Sequence, residues 1–314
     1  MKINRTISRI FLLCSYIMAS VFFAGCIDDV DLENQFHETK KLVLYCRLCP
    51  QIDTTYILLS STKLLYGGDT GDFPNISDAI VELSADGSQW VRASYDNEHR
   101  RYRLTRQEFP VMEGHTYHIR ASYSGYKDIS ATCTVPLTHD VGLRFDTVSV
   151  TSDSHWGEIY NWPHKDVYVQ WRDVPGEENA YALKSYHKRN IFHENEEGEW
   201  EIIQGGWQFY SEWLMDGSDE YEYVSDQGRD GAVMRYMFDV DLYEYDEWDE
   251  DEDDEDEDPA QYYLFFLDKS CYLYETTQTD NSGLNFLLLE PLHAYTNIEN
   301  GFGLFGAFSM MKVK

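Results

Sequence analysis

Short runs of β-branched and aromatic residues, broken by glycine turns, constrain this chain more than any other feature. LVLYCRL (Leu42 to Leu48), TTYILLS (Thr54 to Ser60), AIVELSA (Ala79 to Ala85), QWVRASY (Gln89 to Tyr95), YRL (Tyr102 to Leu104), TYHIRASY (Thr116 to Tyr123) and ISATCTV (Ile129 to Val135) follow one another. Several alternate with a period of two, which on a strand sends successive side chains to opposite faces. Tyr66-Gly67-Gly68, Ala85-Asp86-Gly87, Glu113-Gly114 and Ser124-Gly125 supply the turn chemistry between runs. The spacing predicts an immunoglobulin-like β-sandwich over 42–137 rather than an α/β domain. Thr134-Val135-Pro136 closes it, because proline cannot donate to a ladder.

The pattern restarts with LRFDTVSV (Leu143 to Val150) and DVYVQW (Asp166 to Trp171), and the turn Asp173-Val174-Pro175-Gly176 leads into NAYALKSYHKR (Asn179 to Arg189). This pair resembles a fibronectin-type succession. EWEIIQ, GWQFYSEWL, VMRYMFDV and YYLFFL are further strand candidates, so 138–314 reads as a second β-rich, sandwich-like domain. One short helix is expected there, N-capped around Asp268-Lys269-Ser270 and running to about Thr277, with Tyr272, Leu273 and Thr276 on one face. At 314 residues, 43% hydrophobic, the chain can bury more than one core.

Ahead of the first strand, Lys2, Arg5 and Arg9 precede a charge-free stretch from Ile10 to Ala24. A basic region followed by an apolar one is the secretory signature. The stretch falls short of the roughly 20 residues a helix needs to span a bilayer, which favours a processed signal over residues 1–25. Phe23-Ala24-Gly25-Cys26 resembles the bacterial lipobox, with Phe23 where leucine is commoner, and it makes Cys26 the expected lipid attachment point. Multiple acyl chains anchor stably where one binds only marginally. Asp28, Asp29 and Asp31 resemble the acidic export tag of surface lipoproteins of the Bacteroidetes, and 26–41 reads as an acidic tether. A periplasm-facing lipoprotein with an acidic linker is the alternative.

The formal charge of −31 disfavours nucleic acid and anionic lipid as partners, since phosphates would be repelled. Much of the excess sits in EYDEWDEDEDDEDED, Glu244 to Asp258, which cannot pack in a core and reads as a solvated loop. Carboxylates such as Asp249, Asp251 and Asp253 could bind calcium weakly. Taking Asp249 as the first EF-hand ligand, however, puts Asp254 where glycine belongs and Ala260 where the bidentate glutamate belongs.

The C-terminal segment PLHAYTNIENGFGLFGAFS, Pro291 to Ser309, closely resembles the terminal motif of the DUF4249 family of Bacteroidetes lipoproteins. KLVLYCRL, DAIVELSADG, EGHTYHIRA, TCTVP and WRDVPGEENAY fit the same layout, whereas the acidic run is a departure from it. Asn297, Asn300, Gly301, Gly303 and Gly306 carry the motif. Physically they read as a structural device: Asn300-Gly301 suits a tight turn, and Gly303 and Gly306 allow close backbone approach among Phe302, Leu304, Phe305 and Phe308. The resemblance implies an outer-membrane lipoprotein, facing the cell exterior, that cooperates with a TonB-dependent transporter as a cap or a ligand-capturing partner.

No G-x-S-x-G elbow, Walker loop, dinucleotide-type G-x-G-x-x-G opening a helix, or H-E-x-x-H is present, so the chain reads as non-enzymatic; paired-carboxylate glycosidase chemistry has no local signature, and a surface hydrolase stays the third reading. Cys46-x-x-Cys49 sits on or at the end of a strand, where residues three apart face opposite ways, which disfavours a mutual disulfide or shared metal ligation. Packing cysteines, or one long-range bridge to Cys133, are the options left. Trp200, Trp207, Tyr210 and Trp213 form the candidate ligand platform, and an adhesive protein binding glycans or glycoproteins through it is the second functional reading. Beyond the lipid on Cys26 and weakly held calcium, no cofactor is expected.

Overall fold

A computed structural model describes residues 40–62, 75–150, 153–155, 158–160, 164–188, 191–194, 200–204, 207–216, 219–241, 261–279 and 295–313. The strands of the first half are β1 (Leu42–Leu48), β2 (Thr54–Ser61), β3 (Ile80–Ser84), β4 (Val91–Arg92), β5 (Ser94–Asp96), β6 (Arg101–Thr105), β7 (Thr116–Ser122) and β8 (Ile129–Thr134). Then come β9 (Arg144–Val150), β10 (Asp153–His155), β11 (Glu158–Tyr160), β12 (His164–Arg172), β13 (Ala180–Lys188), β14 (Ile191–Glu194), β15 (Trp200–Gln204) and β16 (Trp207–Ser211). The chain continues through β17 (Leu214–Asp216), β18 (Asp219–Tyr221), β19 (Val224–Ser225), β20 (Val233–Asp241), β21 (Gln261–Leu267), helix α1 (Lys269–Thr279) and β22 (Phe302–Lys312). The fold is mainly β, as the period-two runs predict. Among the described residues no helix is long and apolar enough to cross a membrane.

One long sheet, ordered β16-β13-β21-β22-β1-β2-β6-β5 with β19 also on β13, organises the molecule. Its front face is lined by the apolar half of each alternating strand. Leu42, Leu44, Cys46 and Leu48 of β1, Ile57 and Leu59 of β2, and Phe305 and Ala307 of β22 meet Val81, Leu83, Tyr117, Ile119 and Ala131 of the β4-β3-β7-β8 sheet. This is the first sandwich. Farther along the same face, Tyr181 and Leu183 of β13 and Leu264 and Phe266 of β21 pack on Val167, Val169, Trp171, Tyr236 and Phe238 of the β18-β17-β20-β12-β9 sheet. Two cores therefore share one sheet.

Strand β22 makes the sharing possible. Its first half pairs in parallel with β1, from Val43 opposite Phe302 to Leu48 opposite Ala307, and its second half pairs antiparallel with β21, from Leu267 opposite Phe308 to Tyr263 opposite Lys312. Odd-numbered residues enter the first core at Phe305 and Ala307, and reach the second at Met311. The C-terminal strand of the expected 138–314 domain thus completes the sheet that begins at β1. The expected run Gln89 to Tyr95 is split: β4 joins β3 in one layer and β5 joins β6 in the other, the edge crossing typical of a sandwich.

The back face carries a third cluster: Ala180, Ala182, Phe265, Leu267, Leu304, Phe308, Cys49 and Cys271. Helix α1 covers it. Asp268 caps the helix as the sequence predicts, its Oδ1 accepting the Cys271 N–H at 2.8 Å. Among the described helical side chains Cys271 is the buried one, with Tyr272 and Tyr274 packed beside it; of the expected face of Tyr272, Leu273 and Thr276, Tyr272 alone joins this cluster. Cys46 points to the front and Cys49 lies at the back; with Cys133 and Cys271 they are buried free thiols.

Candidate functional site

The sequence-derived candidates are distributed unevenly over the structure. Cys26, Asp28, Asp29 and Asp31 lie outside the described residues, as do Asp249, Asp251 and Asp253. Trp200 stands on β15, and Trp207 and Tyr210 on β16, with side chains outside the described set. Trp213, between β16 and β17, is 52% exposed.

The C-terminal motif is a set of backbone contacts. Asn297 imitates a strand residue: its side-chain amide donates to the Phe305 carbonyl at 2.7 Å, and its Oδ1 accepts the Phe305 N–H at 3.0 Å. Asn300 takes the left-handed conformation, φ 60°, and donates to the Asp128 carbonyl at 3.2 Å. Gly303 has φ +107°, and a Cβ there would overlap the Leu44 carbonyl oxygen. At Gly301 a Cβ would fall 2.7 Å from the Leu42 carbonyl oxygen, and at Gly306 it would run into Cys271 Sγ. The Glu299 N–H donates to Ser130 O at 2.8 Å, tying this segment to β8. Gly301 and Gly303 thus let β22 lie against β1, Glu299 and Asn300 tie the preceding turn to β8 and its approach, and Gly306 leaves room for Cys271 of α1.

The back face offers an arrangement that sequence reasoning missed. Phe265 of β21 and Phe308 of β22 stack with centroids 4.8 Å apart and planes 7° off parallel. The Arg47 guanidinium stands over Phe308 at 5.8 Å and over Tyr45 at 5.5 Å; the Lys184 ammonium stands over Phe265 at 5.7 Å and Tyr223 at 5.5 Å. Cation–π attraction holds both heads over the rings. Glu275 of α1 pairs with Arg47 Nη1 at 3.3 Å and accepts the Tyr45 hydroxyl at 3.2 Å. Lys184 donates to Ser211 Oγ at 2.5 Å, a neutral partner. Burial, then the neighbouring Arg47, pushes the Lys184 ammonium below its ordinary range, while burial pushes the Tyr45 and Tyr223 phenols up. The signal available in sequence was the polar residue in an apolar run: Arg47 in LVLYCRL and Lys184 in YALKSY.

A concave region lies near the first turn of α1. It is a cleft of about 660 Å³ with Glu177, Glu178, Asp226, Asp230, Lys269 and Tyr272 on its walls. Its one lysine is spoken for, Lys269 Nζ lying 2.8 Å from Glu178. Asp226 and Asp230 stand close to the buried Asp173, the three carboxylates offering oxygens within 4.8 Å of one another. Hydrogen bonds account for that gathering. Asp173 accepts from Tyr181 at 2.7 Å and from the Gly231 N–H at 2.8 Å, Asp230 from the Gly176 N–H at 2.7 Å, and Asp226 from the Asn179 N–H at 3.0 Å. They clasp the loop after β12 to the loop before β20.

No curated protein matches this sequence. The family profile described as a domain of unknown function, DUF4249, matches residues 27–313, from just behind the candidate lipidation site to the end of β22. With nearly all of the chain covered, C-terminal motif included, the protein belongs to the DUF4249 family.

Proposed function

We propose that this protein is a non-enzymatic lipoprotein of the outer membrane, facing the cell exterior, that works beside a TonB-dependent transporter to capture or cap its ligand. The observation that carries the reading is the Phe23-Ala24-Gly25-Cys26 step, with Asp28, Asp29 and Asp31 behind it. The first described strand begins at Leu42, and by sequence 26–41 ahead of it read as an acidic tether. The transporter partner comes from the family resemblance alone. The exposed Trp213 favours the second reading, an adhesin whose aromatic surface stacks on glycans.

Growth with a labelled fatty acid tests the anchor: the protein takes up label, and Cys26→Ala abolishes it. Protease added to intact cells then degrades the wild-type protein if it faces outward. Gentle detergent extraction followed by affinity capture brings down a transporter barrel if the partnership is right. Labelled, accessible protein that captures no barrel and binds immobilised glycans instead would move the reading to the adhesin.

A further inference from the structure

We propose that the back face of the long sheet holds a binding site for an organic carboxylate, gripped between Arg47 and Lys184. Strands β1 and β13, separated in the sheet by β21 and β22, each send one cation over the same stacked pair, Phe308 under Arg47 and Phe265 under Lys184. In a chain of formal charge −31, two cations drawn together need a local reason. Their mutual repulsion opposes the arrangement, and a hydrogen-bonding anion between them would relieve it.

The two cations are unequally matched. Glu275 answers Arg47, but no described carboxylate lies within ion-pairing distance of Lys184, whose hydrogen bond goes to Ser211. An ammonium carries three donors, so two are left for an incoming acceptor. A carboxylate suits the pair: the planar guanidinium presents parallel N–H groups, and the ammonium adds a point charge at the second oxygen. Glu275, Glu222 and Glu212 lie near enough to act on Lys184 through space, so a phosphate dianion would meet more repulsion there than a carboxylate monoanion. Half-buried rings of Tyr45, Tyr223 and Tyr274 border the site and would receive the apolar body of the ligand. The site stands on these side chains whether or not the protein serves a transporter.

The test is titration of the purified protein with N-acetylphenylalanine, with its C-terminal amide, and with inorganic phosphate. The acid and its amide differ at the carboxylate alone. The expected result is saturable binding of the acid, weakened by salt, and no binding of amide or phosphate. Lys184→Met and Arg47→Met each lower affinity for the acid by at least about tenfold, about 1.4 kcal/mol, while Lys184→Arg retains most of it. Thermal unfolding of each variant shows that it is folded, and Ser211→Ala, which keeps both charges, provides a second variant expected to bind the acid within a few-fold of wild type. Benzoate distinguishes the sources: it binds as well as N-acetylphenylalanine for a free organic acid, and more weakly for a peptide C-terminus. Equal binding of acid and amide overturns the assignment. So do tighter binding of phosphate than of the acid, no binding to the wild-type protein, and undiminished binding to folded Lys184→Met and Arg47→Met.

Discussion

The front and back of the long sheet are built from the same strands and do opposite things. On β1, Leu42, Leu44, Cys46 and Leu48 enter a dry core, while Tyr45 and Arg47 meet Glu275 on the other side. On β13, Tyr181 and Leu183 go forward and Lys184 goes back. The front face is apolar over two successive sandwiches, so its contribution is burial, roughly 25 cal/mol per Å² removed from water. Charges on the back face sit on aromatic rings, where the cost of desolvating them offsets much of what their contacts contribute to stability. A period of two lets one strand serve a core and a polar site at once, because adjacent residues point to opposite faces.

Four substitutions separate these roles, beginning with the largest effect. Gly303→Ala forces a Cβ into the Leu44 carbonyl oxygen at a φ of +107°. Because β22 joins both cores, the expected loss is on the order of 5 kcal/mol or failure to fold, read from expression and chemical denaturation. Trp171→Ala removes a fully buried indole packed between Tyr181 and Tyr236, at 5.5 Å from each. A loss of about 4 kcal/mol is expected in urea titrations. The folded fraction should keep its back-face binding, and if stability and binding fell in proportion the two faces would not be separable.

Asp268 probes the seam under α1. Burial pushes its carboxyl up to about 6 while Cys271 N–H holds it, against an unfolded value of about 3.9. The folded state therefore holds the proton more tightly, so this contribution to stability is full below about pH 4 and is lost as pH rises through about 6. Asp268→Asn keeps a capping side chain and cannot ionise. Urea titrations between about pH 4 and 7 should converge at the acid end and favour the variant by on the order of 3 kcal/mol at the neutral end. A constant difference across that range would mean that Asp268 does not titrate there.

The smallest effect is expected at Lys184→Met. A desolvated ammonium with one neutral acceptor is replaced by an apolar side chain among rings, so stability should stay within about 1 kcal/mol of wild type while carboxylate binding is lost. Destabilisation of several kcal/mol would make Lys184 a structural residue instead.

Much of this architecture is legible in the amino-acid sequence. The expected strands appear within a residue or two at β1, β2, β7, β8 and β13, because a half-buried strand writes its two environments into adjacent residues. The helix cap at Asp268 is equally local. What escapes such reading is long-range. The run Gln89 to Tyr95 has one pattern but feeds two layers, because its partners, β3 and β6, lie on either side of it in sequence. The C-terminal motif is readable as a close-packing device, yet nothing local says that Gly303 packs against Leu44. Nor does any local pattern say that Arg47 and Lys184 share a stacked pair of phenylalanines.

By itself the sequence determined the β class, the strand faces, the helix cap, the family, and the lipobox-like step on which the proposed anchor rests. Each is a short-range property, set by alternation, capping chemistry or a contiguous motif. Tertiary structure alone decided that one sheet serves two cores, that the last strand lies beside the first, and that two isolated basic residues meet over Phe265 and Phe308. These depend on parallel pairing and side-chain reach between segments distant in the chain. Loop closure and packing settle such choices, and periodicity does not encode them.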